Sequence, residues 1–444
     1  MKRLVGLLVA AGLAAAIFLA GALLPTRASQ SPIPALSLPA PSPLPTAASG
    51  LQKLQTTITS LQSRLQGNPG DAEALSALGL AYLQEARLTV NPSYYTKADE
   101  VLRKSVAIDR KSNFQGLLGM GILAGARHRF GTALRWGRRA QAENPFNADV
   151  RGLEADALIE LGRYSAARRE LQKMVDLRPG LSSMSRISYY RELHGDLGGA
   201  IQAMAAAFRD AGGSGQDAAW ASYQLGDLQL LAGHLARAEF LYRRGIYLDP
   251  GYYLPKVGRA KVAAARGDFP PAARILKQVV NTYPLPIYVM LLGDIYRAEG
   301  RRNEASREYS LVQAEQRLFS ANGVIPDTEM MIFFADHHLR LHRTLAEARR
   351  EYAKRPSVRV ADALGWVLYA NGKYGEAKRY ARRALRLGTI DPTYYFHAGM
   401  IAKAAGEKTL ALRYLRRALR FNRHFSVRYA PEAVHALRAL GRPE

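Results

Sequence analysis

The sequence predicts an all-α fold, a solenoid of about ten stacked helix–turn–helix repeats. Three observations carry the prediction. Small residues recur in one frame along most of the chain. Glycine and proline punctuate that frame at matching places. Between them apolar residues return every three or four positions, the period of one helix face.

The elements before the array come first. Lys2 and Arg3 precede an uncharged apolar run from Leu4 to Leu24, 21 residues long. That run suits a bilayer-spanning helix and exceeds a usual signal-peptide core. Residues 1–25 are therefore expected to be a retained anchor, with a cleaved signal peptide as the alternative. Thr26 and Ala28 form only a weak small-x-small cleavage site. The basic pair favours a cytoplasmic N-terminus, so either outcome exports the rest. The expected location is the cell envelope: anchored, with the repeats outside the cytoplasm, or secreted or periplasmic after cleavage. In residues 26–50, Pro32, Pro34, Pro39, Pro41, Pro43 and Pro45 forbid a helix and mark an extended linker. In residues 51–70, Leu51, Leu54, Ile58, Leu61 and Leu65 form one apolar stripe, read as a capping helix.

The array is expected over residues 71–422. Its clearest copy runs from Leu364 to Leu385, LGWVLYANGKYGEAKRYARRAL. Gly365 is followed twelve residues later by Ala377, with Gly372 and Tyr374 between. Gly121/Ala133, Gly226/Ala238 and Gly399/Ala411 keep the same spacing, and Gly293/Ala305 is a weaker copy. The recurring alanines are 98, 133, 167, 200, 238, 272, 305, 348, 377 and 411, at intervals close to 35. Each unit is two helices with a turn at the middle glycine. Small residues let the helix backbones approach, and Pro145, Pro179, Pro250 and Pro284 close units, because proline cannot continue a helix. Residues 423–444 read as a final capping helix starting near Pro431.

Three departures from the period are expected to bend the superhelix or expose a loop. Seven extra residues around Thr89-Val90-Asn91-Pro92 lengthen the first turn. Ala211–Asp217 is a glycine-rich joint. The span Gln313–Thr328 breaks the period, and the interval after Ala348 is short by five.

The pattern resembles the tetratricopeptide repeat. Leu364-Gly365, Gly372-x-Tyr374, Ala377 and Ala384 match its hallmarks, and Leu78-Gly79-x-x-Tyr82 and Leu292-Gly293-x-x-Tyr296 match its first helix. The resemblance implies a right-handed superhelix whose first helices line a concave groove and whose second helices form the convex side. It implies a protein-interaction scaffold that holds a partner protein or peptide in the groove. The family's carboxylate clamp uses groove lysines and asparagines. That set has no match here, so no C-terminal-peptide ligand is expected.

Composition narrows the chemistry. The 444 residues contain no cysteine, which removes disulfides, thiolate catalysis and thiolate metal sites. No nucleophile elbow, phosphate loop, zinc-protease or dinucleotide motif occurs, so neither an enzyme nor a cofactor is expected. The Asp336-His337-His338 stretch with His342 is the histidine cluster. On a helix His338 and His342 share a face and make a weak metal candidate, but no third ligand is evident, and surface histidines are the simpler reading. Lys+Arg total 62 against 37 Asp+Glu, a net charge of +25. Basic pairs recur at one place of the frame: Arg103-Lys104, Arg138-Arg139, Arg243-Arg244, Arg382-Arg383 and Arg416-Arg417. Stacking would align them as a ladder on the second helices, a possible track for an anionic polymer or lipid headgroups, or merely a solvated face. The aromatic residues fit repeat packing, so nucleic acid is not the expected partner.

Overall fold

A computed structural model of the chain describes residues 47–110, 112–213 and 215–441. The expected anchor, and the linker up to residue 46, lie outside these. Among the described residues the fold is all-α, with 22 α-helices and no strand. The capping helix α1 (Ala47–Gly67) begins four residues inside the stretch read as linker. Ten hairpins follow. They are α2 (Ala72–Thr89) with α3 (Ser93–Ile108), α4 (Phe114–Ala126) with α5 (Phe130–Glu143), and α6 (Ala148–Glu160) with α7 (Tyr164–Leu177). Next come α8 (Leu181–Leu193) with α9 (Leu197–Asp210), α10 (Gly215–Leu231) with α11 (Leu235–Leu248), and α12 (Leu254–Arg266) with α13 (Phe269–Thr282). The array closes with α14 (Pro286–Ala298) and α15 (Arg302–Ala321), α16 (Thr328–Asp336) and α17 (Leu341–Lys354), α18 (Val358–Ala370) and α19 (Tyr374–Ala384), and α20 (Pro392–Ala404) and α21 (Lys408–Phe421). Helix α22 (Tyr429–Gly441) ends the described chain.

Local chemistry starts these helices where they start. Asn113, Asn147, Asp196, Asp327, Ser357 and Asp391 cap first helices or hairpin turns by accepting from backbone N–H groups of the first turn. Pro286 and Pro392 stand at first helical positions, where no donor is missed. Ala133, Ala238, Ala377 and Ala411 are fully buried and Ala305 nearly so. Gly365 brings two helix backbones together, since a Cβ there would lie 3.3 Å from the Ala381 nitrogen. Gly121 and Gly399 make room for Leu153 and Leu415. Tyr374 stands at the first turn of α19 and is 38% exposed.

Two expectations about register are corrected. The seven extra residues of the first repeat do not lengthen its turn, which is Val90–Pro92, as short as Arg127–Arg129 in the next. They extend the helices: α2 has 18 residues and α3 has 16, against 13 and 14 in the next repeat. An added helical residue keeps its backbone hydrogen bond, whereas a longer loop needs new partners. The small residue of the eighth repeat is Thr344, not Ala348. Thr344 is the fourth residue of α17, as Ala377 is of α19, and it is fully buried. The interval to Ala377 is then ordinary, and the irregularity lies wholly upstream, in the 20-residue α15 and the loop 322–327.

That loop belongs to a seam. The hairpin turns of repeats two to five rest on the loops that follow repeats seven to ten. Arg127 Nε donates to the Asn322 carbonyl at 3.1 Å, and the Ile325 N–H donates to the Arg127 carbonyl at 3.3 Å. The Val358 N–H donates to the Tyr164 hydroxyl at 2.9 Å. The Thr389 hydroxyl donates to the Leu193 carbonyl at 2.5 Å, and Asn422 Nδ2 to the Leu230 carbonyl at 2.8 Å. The partners in these pairs are 192 to 198 residues apart. At about 35 residues per unit the superhelix thus closes on itself after roughly five and a half repeats. One apolar core correspondingly joins Leu54–Leu123 of the first repeats with Tyr253–Phe334 of the later ones.

Helix α15 also carries a buried carboxyl without a partner. Both oxygens of Glu315 are buried and unbonded, and burial, aided by Glu308, pushes its titration up to about 9. The folded chain therefore favours the protonated form. This contribution is intact below the ordinary value of 4.5 and is lost as pH rises toward 9. At pH 7 the loss is about 3 kcal/mol. E315Q is expected to match the parent near pH 4.5 and to exceed it by about 3 kcal/mol at pH 7. Thermal melts at the two pH values check this, and a gain that does not change with pH would contradict it.

Candidate functional site

Closure of the seam forms an open cavity of about 640 Å³ between the first helices of repeats four to seven and the start of α20 with the loop 422–428. Its apolar lining includes Leu228, Leu231, Ile287, Leu291 and Phe425. Its charged lining is four carboxyls, Glu192, Asp227, Asp294 and Asp391, against Lys261 and Arg359.

Two of the carboxyls are placed by the same local device. The Tyr242 hydroxyl donates to Asp227 at 2.5 Å and the Tyr309 hydroxyl to Asp294 at 2.7 Å. In both cases a glycine precedes the aspartate and leaves the slot for the ring: a Cβ at Gly226 would lie 2.5 Å from Tyr242, and one at Gly293 2.5 Å from Tyr309. These glycines admit a tyrosine that aims an acid. Lys261 bonds Asp227 at 2.9 Å, while burial pushes Asp294 up to about 6. Arg359 pairs with Glu329 at 2.5 Å. Asp391 caps α20 by accepting from the Thr393 N–H at 2.8 Å. The Glu192 carboxyl has neither hydrogen bond nor ion pair among the described residues. Burial, then repulsion from Asp391 and Asp227, pushes it up to about 7.

Charge divides between the two faces. The ten first helices hold 11 Lys and Arg against 13 Asp and Glu. The ten second helices hold 31 against 13. The basic pairs lie on the second helices, with nine of the ten side chains exposed and Arg244 half-buried. They do not form a uniform free track. Arg103, Lys104 and Arg243 pair with Asp99, Glu100 and Glu239 one turn away on their own helices. Arg139, Arg244, Arg383 and Arg417 lie over the rings of Trp136, Phe208, Tyr380 and Tyr395. Among the described residues Arg138, Arg382 and Arg416 make neither contact.

The histidine pair is corrected. His338 and His342 do not share a helix face, because α16 ends at Asp336 and the hairpin turn falls between them, with His338 at φ 51°. Both are exposed. His337 instead packs between Tyr309 and Phe333, and burial pushes its titration down to about 4. Among the described residues no three His, Asp or Glu side chains are grouped to hold a metal ion.

The sequence reading missed the cavity carboxyls. A signal for two of them is visible: Leu225-Gly226-Asp227 with Tyr242 and Leu292-Gly293-Asp294 with Tyr309 repeat one spacing.

The tetratricopeptide repeat family matches residues 118–182 and 363–424, inside hairpins of the geometry described. These two stretches are tetratricopeptide repeats. No curated protein matches this chain. Among solved structures, the Pseudomonas aeruginosa pilF structure is 18% identical over 48% of this chain and 92% of its own, with a TM-score of 0.35. Yeast Tom70 is 12% identical over 89% of this chain and 87% of its own, with a TM-score of 0.38. The human IFIT1 dimer with m7Gppp-AAAA is 14% identical over 76% and 78%, with a TM-score of 0.47. Among the described residues no helix is long and apolar enough to cross a membrane.

Proposed function

We propose that this chain is a non-catalytic interaction scaffold of the cell envelope, anchored through residues 1–25, that holds a partner polypeptide against its first helices. One observation carries the reading: the cavity of about 640 Å³ is lined mainly from first helices, completed by the loop 422–428, and mixes apolar with charged side chains. That is the make-up of a recognition site. The apolar run Leu4–Leu24 supports the anchor.

A photo-cross-linking residue at Ile287, which lines the cavity, tests it against one at Phe240, 63% exposed on second helix α11. In native envelopes Ile287 is expected to yield a discrete adduct and Phe240 none. Adducts from Phe240 alone would move the contact to the convex face and defeat the proposal.

The excess of Lys and Arg on the second helices favours a second reading, attachment of the convex face to an anionic polymer or lipid surface. Glutamine at the five basic pairs, Arg103, Lys104, Arg138, Arg139, Arg243, Arg244, Arg382, Arg383, Arg416 and Arg417, would then abolish salt-sensitive binding to anionic vesicles or polymers and leave the Ile287 adduct intact.

A further inference from the structure

We infer that the segment held in the concave cavity is basic, a stretch carrying an arginine or lysine between apolar residues. This rests on the reading of the cavity as the partner site and deepens it. The whole chain is strongly cationic, so a neutral lining would be the bland expectation. The lining instead carries four carboxyls and two cations. Both cations are already engaged, Lys261 with Asp227 and Arg359 with Glu329. Two carboxyls keep accepting capacity toward the cavity. The Glu192 carboxyl has no partner among the described residues, and Asp391 spends one oxygen on its helix cap.

Glu192 and Asp391 reach the cavity from α8 and from the start of α20, helices five and a half hairpins apart that the superhelical seam brings together. Arg359, the cation of the lining that acts on Glu192, is itself paired with Glu329, and neither carboxyl has an ion pair of its own among the described residues. Like charges held together without a counter-ion are an arrangement that folding alone does not favour. An inserted guanidinium or ammonium group relieves it by charge-assisted hydrogen bonds. The apolar side chains beside them, Leu228, Leu231, Ile287 and Phe425, suit aliphatic neighbours of that cation. The excess of basic residues outside and acidic residues inside also disfavours an acidic segment in the cavity.

The test uses the full chain and three fluorescent, end-blocked hexapeptides. The first is Leu-Arg-Ala-Leu-Arg-Leu, the second has glutamate for arginine, and the third has neutral citrulline. The arginine peptide is expected to bind at least tenfold more tightly than either of the others. E192Q should weaken it at least fivefold and E192Q/D391N further, while asparagine preserves the cap at position 391. Circular dichroism melts confirm that the variants fold. Equal binding of the three peptides, preference for glutamate, no binding at all, or indifference to E192Q would each overturn the inference. The native Ile287 adduct separates the two levels. If it persists while the peptides show no charge preference, the cavity reading stands and the basic segment fails. If it is absent, the cavity reading itself fails.

Discussion

Replacement of Arg355 by methionine is expected to cost about 3–5 kcal/mol and to open the superhelix. Arg355 is 2% exposed and meets three carboxylates: Glu160 at 3.0 Å, Asp327 at 3.1 Å and Glu351 at 2.5 Å. Glu160 comes from the third repeat and the others from the seam loop and the eighth, so one guanidinium holds two superhelical turns together. Its flat fork matches three acids at once, and after His128, and with Arg359, its charge holds Asp327 far below the usual carboxylate range. Without it three buried carboxylates lose their common cation. One oxygen of Glu160 is unbonded even now. R355K should lose less, since one ammonium replaces one of the three contacts. Thermal melts and small-angle scattering read the two consequences. A methionine variant as stable and as compact as the parent would remove Arg355 from the seam.

Gly195→Ala should cost about 2–4 kcal/mol, and the comparison that gives the number meaning is Gly406→Ala. Both glycines sit at hairpin turns with nearly the same left-handed backbone, φ 77° and 78°. An L-residue there costs about 1–2 kcal/mol wherever the turn lies. The surroundings differ. A Cβ at Gly195 would press on the Gly388 carbonyl across the seam, whereas one at Gly406 meets nothing within 4 Å. Gly162 repeats the seam case, 2.7 Å from the Pro356 carbonyl, and Gly372 the open one. The excess of the first pair over the second measures the seam. Equal losses at all four positions would mean that the turns touch without stabilising one another.

The hairpins were legible because each is written locally. The stretch Leu364–Leu385 carries its own apolar face, its turn glycine and its two packing alanines, and the structure makes of it α18, a turn and α19. Spacing alone misassigned Ala348, because alanine is common and buried small residues include Thr344. It also placed His338 and His342 on one helix, where only the position of the turn could separate them. The recurring arginines were read as a ladder. What was not legible is that seven of the ten find an acid or an aromatic ring beside them.

By itself the sequence determined the repeat unit, its near-constant length and the uneven sharing of charge between first and second helices. All of these depend on neighbours within one or two hairpins. Only the tertiary structure decided where the array closes, and with that the cavity, the Arg355 lock and the meeting of Glu192 with Asp391. A small rotation is added at every repeat, and the sum over five or six sets which turn lands on which loop. No local pattern states that sum. It is fixed by contacts between residues 192 to 198 positions apart, too few to leave a periodic trace.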